Sequence, residues 1–102
     1  MIDIEPAHLT LIKKILRHHV PAAEVRAFGS RINGTATQFS DLDLVIIAHP
    51  PLSWEKIEQI KNAFSESNLP ITVDIVNWAS ISDDFKAIIE HNYTLIQPAK
   101  PL

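Results

Sequence analysis

The chain has 102 residues, 46% of them apolar and 21% charged, and its nine Lys and Arg against twelve Asp and Glu give a formal charge of −3. That length makes one domain with one core, and the absence of cysteine excludes disulfides and thiolate metal sites. Mild acidity and scattered basic residues argue against a chain that binds nucleic acid unaided. No run is long and apolar enough for a membrane span or a signal peptide, and the start Met1-Ile2-Asp3-Ile4-Glu5 is acidic, so a cytoplasmic protein without membrane association is expected.

Residues Pro6 to His19 read as an amphipathic helix with Leu9, Ile12 and Leu16 on one face, ended by Pro21. Val25 to Phe28 is a short strand running into Gly29, and Ser30 to Asn33 is a helical turn broken by Gly34. Asp41 to Ile47 is the strongest strand, closed by Pro50-Pro51. Ser53 caps a second long helix to about Glu66, with Trp54, Ile57, Ile60, Lys61 and Phe64 at helical spacing. A further strand covers Ile71 to Val76. Ser80 or Ser82 then caps a last helix to about His91, with Phe85, Ile88 and Ile89 inward, and Pro98 to Leu102 is a frayed tail. This order predicts a single α/β (α+β) domain over residues 1–102, a small mixed sheet of three or more strands flanked by helices.

Two clusters carry chemistry. In the first, Phe28-Gly29-Ser30-Arg31, a strand ends in Gly-Ser and opens into a helical turn. A phosphate can approach the glycine main chain, and the Ser30 hydroxyl can donate to it. In the second, Ser40-Asp41-Leu42-Asp43, strand alternation sends both carboxylates to one face. Paired carboxylates repel unless a cation lies between them. Mg²⁺ suits such oxygen ligands, and two ions can hold the attacking and leaving oxygens of an in-line phosphoryl displacement. Asp74 sits within the apolar run Thr72 to Val76, where an unpaired charge would be costly. It is a candidate third carboxylate, as metal ligand or base, with a structural ion pair to Arg26 as the alternative. Arg31 either touches phosphate or is a solvated first-turn residue. Gly29-x-x-x-x-Gly34-Thr35 imitates a P-loop but lacks its lysine, which excludes that reading. His18, His19 and His91 lack metal-ligand spacing and read as surface residues, while Trp54 and Trp78 read as core or partner-facing aromatics.

The run Phe28-Gly29-Ser30-Arg31, Gly34, then Ser40-Asp41-Leu42-Asp43-Leu44-Val45, with eleven residues from Ser30 to Asp41 and a later Asp74, resembles the DNA polymerase β-like nucleotidyltransferases. It is most similar to their minimal members, the antitoxin halves of HEPN/MNT toxin–antitoxin pairs, and the likeness extends through Trp78 and the Phe85 to Ile89 helix. The resemblance implies that Gly29 and Ser30, with Arg31 and Ser40 in the same run, contact the nucleotide. It also implies that Asp41, Asp43 and Asp74 hold Mg²⁺, two ions in all, and carry catalysis. The implied activity is transfer of AMP from ATP to a tyrosine of a partner HEPN ribonuclease. Two alternatives stand beside it: inhibition of that toxin by occlusion alone, and transfer to a small hydroxylated molecule. No arginine is followed four to six residues later by a histidine, so the chain is not itself the HEPN nuclease.

Overall fold

The structure, a computed structural model, describes residues 2–35 and 41–100. Ser40, expected at the nucleotide, lies outside the described residues.

Helix α1 (Pro6–His19) begins with a proline, whose missing N–H costs nothing in a first turn. Its apolar stripe buries Ile12 and Leu16 completely, and the Val20 N–H closes it on the Leu16 carbonyl at 2.7 Å. Four strands follow the order β3-β2-β1-β4 in one sheet: β1 (Glu24–Phe28), β2 (Leu42–Ile47), β3 (Val73–Asn77) and β4 (Thr94–Gln97). Strand β1 is antiparallel to both neighbours, and β2 is parallel to β3. A parallel pair needs a crossover, which α3 (Trp54–Ser65) supplies. Strand β2 is interior, and its unbroken apolar run leaves Leu44, Val45 and Ile46 fully buried.

Alternation divides the sheet. One face presents Val25, Ala27, Leu42, Leu44, Ile46 and Ile75 to Ile12 and Leu16 of α1 and to Ile57, Ile60 and Phe64 of α3, forming the main core. Full burial of one such side chain is worth roughly 1.5–3 kcal/mol. The other face carries Arg26, Phe28, Asp43 and Asp74. There the ring of Phe85 from α4 (Asp83–His91) meets Phe28 edge to face, centroids 5.6 Å apart.

The predicted single sheet with flanking helices is the observed architecture, and several local expectations need correction. The chain after His91 forms edge strand β4. The tail is tied back at Lys100, whose N–H donates to the Ala22 carbonyl at 3.2 Å. Trp54, read as a core or partner-facing aromatic, is 72% exposed and so lies outside the core, because it opens the first turn of α3 before the stripe reaches the sheet. Ile88, expected inward, is 67% exposed, because α4 meets the sheet through Phe85 and Ile89. Of the two candidate caps, Ser82 accepts the Phe85 N–H at 3.1 Å. Among the described residues no helix is long and apolar enough to cross a membrane.

Candidate active site

Strand β1 ends at Phe28, and the next residue, Gly29, has φ +84° and ψ −155°. Side chains avoid that region, and it re-aims the backbone into α2 (Ser30–Asn33). The Gly29 carbonyl accepts the N–H groups of Ile32 and Asn33, at 3.0 and 3.1 Å. Gly34, at φ +83°, closes the turn in the left-handed conformation. Ser30 opens α2, so its N–H has no acceptor within the helix.

Register brings the second cluster alongside. Asp43 is paired with Phe28 on β1 and with Asp74 on β3. Paired residues on neighbouring strands share a face at a strand spacing of roughly 5 Å. Asp41 stands just before β2, two residues from Asp43, close enough for its charge to act on that carboxyl. Asp43 and Asp74 thus share one end of one sheet face with Asp41 at its entry, although Asp43 and Asp74 are thirty-one positions apart in the chain. A Cβ built on Gly29 would stand 2.4 Å from Oδ2 of Asp43. The phosphate-type turn and the carboxylate therefore touch, and only glycine permits it.

Electrostatics agree with this placement. Partial burial pushes the Asp43 pKa above the ordinary carboxylate value, and the charges of Asp74 and then Asp41 push it further. Asp41 and Asp74 are exposed. The buried, costly charge expected at Asp74 is thus not found, because β3 is an edge strand and this end of the face is open. Nor does Arg26 pair with Asp74. Its Nε donates to the Glu24 carboxylate, and its guanidinium lies 4.3 Å from the ring centre of Tyr93 and 5.3 Å from that of Trp78. Sequence reasoning gave this cation–aromatic cluster no role, and its partners come from elements too distant in the chain to be matched by pattern.

Arg31 is also corrected. It is 7% exposed, so the solvated reading fails, and its Nη1 donates to the Asp3 carbonyl at 2.8 Å. The Asp3 N–H returns a bond of 2.8 Å to the Arg31 carbonyl. The residue fastens the N-terminal segment to α2.

Among the described residues no three His, Cys, Asp or Glu side chains are already gathered closely enough to hold a metal ion. The donor set nevertheless fits Mg²⁺ in kind: carboxylate oxygens on one face, mutually repelling, beside a glycine whose missing side chain leaves Oδ2 of Asp43 uncovered.

Comparison with known proteins gives the family. Residues 9–96 match the nucleotidyltransferase domain family. The chain is 47% identical over 96 residues to the probable protein adenylyltransferase MntA of Haemophilus influenzae, covering 94% of this chain and 84% of that one. Its fold is similar to that of a toxin–antitoxin complex solved with AMP-PNP (TM-score 0.68, 24% identity, 90% of this chain and 74% of that one). It is also similar to an MNT antitoxin in complex with a tri-AMPylated HEPN toxin of Shewanella oneidensis (TM-score 0.63, 20% identity, 94% and 74%). The fold and the family match define a nucleotidyltransferase domain. The chain belongs to the nucleotidyltransferase domain family, and within it to the minimal nucleotidyltransferases related to MntA.

Proposed function

We propose that this protein, as one domain over residues 1–102, is a Mg²⁺-dependent adenylyltransferase antitoxin that moves AMP from ATP to a tyrosine of a partner HEPN toxin. The contact between Gly29 and Asp43, with Asp74 in register beside them, carries the reading. It puts a turn suited to phosphate against the carboxylates that would govern metal and proton. The relatives add the substrate and the acceptor: one is a probable protein adenylyltransferase, one was solved with AMP-PNP, and one holds an AMPylated HEPN toxin.

In this reading Gly29 and Ser30 hold the triphosphate, and Asp41, Asp43 and Asp74 are the metal ligands. Bound Mg²⁺, two ions by family resemblance, would neutralise phosphate charge and polarise the reacting oxygens. The acceptor hydroxyl attacks the α-phosphorus, a new oxygen–phosphorus bond forms, and the bond to the β-phosphate breaks to release pyrophosphate. Asp74, exposed at the edge of the row, would take the hydroxyl proton. The charge of −3 fits a cytoplasmic module that leaves nucleic acid to its partner.

Intact mass of the partner HEPN protein, after incubation with this chain, ATP and Mg²⁺, tests the proposal. The expected result is a gain of one or more AMP units, lost in an Asp41→Asn/Asp43→Asn control. A silenced nuclease in a stable complex with no mass gain would replace catalysis by occlusion.

A further inference from the structure

A cluster of basic side chains lies at the opposite end of the sheet. Strand β2 carries the chain away from Asp43, and His49 follows six residues later, roughly 20 Å along an extended strand. There a cavity of about 480 Å³ opens between the end of α1, the entry to β1 and the start of α3. Cavities of this size accept small molecules. Its titratable lining residues are His19, His49 and Lys56, and no carboxylate lines it. In a chain with twelve Asp and Glu against nine Lys and Arg, a cavity lined by basic side chains and no acidic one is suited to an anion.

Among the described residues these basic side chains form no ion pair with a carboxylate. The ion pairs among the described residues join Glu5 to His8, Glu24 to Arg26 and Asp83 to Lys86, and none uses His19, His49 or Lys56. Partial burial lowers the His19 pKa, and the charges of His18 and Lys56 lower it further. Basic groups are thus held close together here, and His19 keeps its neutral ring more readily than a free histidine does.

The walls are fixed by bonds from distant parts of the chain. Gln97 Nε2 donates to the Val20 carbonyl at 2.7 Å and to the Ala23 carbonyl at 2.8 Å. Asn77 Nδ2 donates to the Leu52 carbonyl at 3.2 Å. Pro50 and Pro51, whose rings fix φ, line one part of the wall. A cavity with fixed walls spends little binding energy on ordering itself.

We propose that this cavity is a second ligand site that takes a small phosphate monoester, with Lys56, His19 and His49 around the phosphate and the proline-lined wall against the ester group. A phosphate group offers three terminal oxygens to three basic side chains, and charge-assisted bonds to it are the strong ones. The distance from Asp43 leaves the carboxylate site free, so both ends can be occupied together.

Ring resonances of the five histidines give a direct readout. The intact protein is titrated with inorganic phosphate and then with AMP, in chelator and at constant ionic strength. An Asp41→Asn/Asp43→Asn sample runs in parallel to remove any contribution of the carboxylate end. Saturable shifts of His19 and His49, unchanged in that sample, with His8 and His91 unmoved, are expected. Lys56→Gln, checked for an unchanged melting temperature, should weaken binding about tenfold. Tighter binding of AMP than of phosphate would place the ester group on the proline wall. The proposal is overturned if the five histidines drift together without saturation, or if Lys56→Gln binds as tightly as the native chain.

Discussion

Replacing Gly29 by alanine separates backbone strain from chemistry at one position. The native φ of +84° with ψ −155° lies where only glycine is at ease, and holding a side chain there costs about 1–3 kcal/mol. The new Cβ would also stand 2.4 Å from Oδ2 of Asp43, well inside van der Waals contact. That atom is the free end of a side chain, so the carboxylate swings away and little further stability is lost. The displacement needed is of order 1 Å, and a misplacement of that size at a reacting centre can cost about a hundredfold in rate. Thermal denaturation should therefore show a fall of about 4–8 °C per kcal/mol of strain. AMP transfer, measured well below the new melting temperature, should drop about a hundredfold. Asp43→Ala removes the clashing carboxylate, so Gly29→Ala in that background should lose nearly the same stability, which isolates the strain. Folded Gly29→Ala protein retaining activity within a few-fold of the native chain would refute the argument that this contact positions Asp43.

Three further outcomes follow from the same structure. Asp43 binds its proton more tightly in the folded state than in the unfolded one, so metal-free stability should fall as pH rises from the ordinary carboxylate range through the raised pKa. Asp43→Asn should abolish that fall and raise the melting temperature of metal-free protein, since one carboxylate pair roughly 5 Å apart costs about 0.8 kcal/mol at bulk-water screening; a melting temperature that drops instead would contradict mutual repulsion. Arg31→Met should lower the melting temperature by removing the bond to the Asp3 carbonyl, a loss of about 1–3 kcal/mol, with the KM for ATP little changed; the reverse pattern would return Arg31 to the nucleotide. Ile60→Ala, in a fully buried position, should cost about 2–5 kcal/mol in denaturant unfolding, and a loss below 1 kcal/mol would mean the main core is not where the structure puts it.

What the sequence discloses here depends on how local the cause is. Helix α1 spans Pro6–His19 as predicted, and α3 starts after Ser53, because a proline and a serine act within one turn of themselves. Gly29-Ser30 and Asp41-Leu42-Asp43 are legible for the same reason: the turn needs a glycine at that position, and the two carboxylates stand two residues apart at the entry to β2. Strand β4 escapes this logic. It is four residues long with only Ile96 buried, and what makes it a strand is the unpaired edge of β1, which lies near it in space and some seventy residues away in the chain.

Asp74 shows how a residue can be singled out for a reason the structure does not bear out. A carboxylate in an apolar strand draws attention because burying it is costly, yet the side chain is exposed and bears no such cost. What ties it to the site is the parallel register of β3 on β2, which sets Asp74 beside Asp43 and not one residue to either side. A slip of one residue would turn Asp74 into the core and Ile75 out of it. The buried Ile75, packed beneath the sheet with Leu44 and Ile60, therefore holds the register that delivers the third carboxylate. The apolar residues of β3 and the charge among them are parts of one device: the core face fixes the alignment, and the open face presents Asp74 beside Asp43.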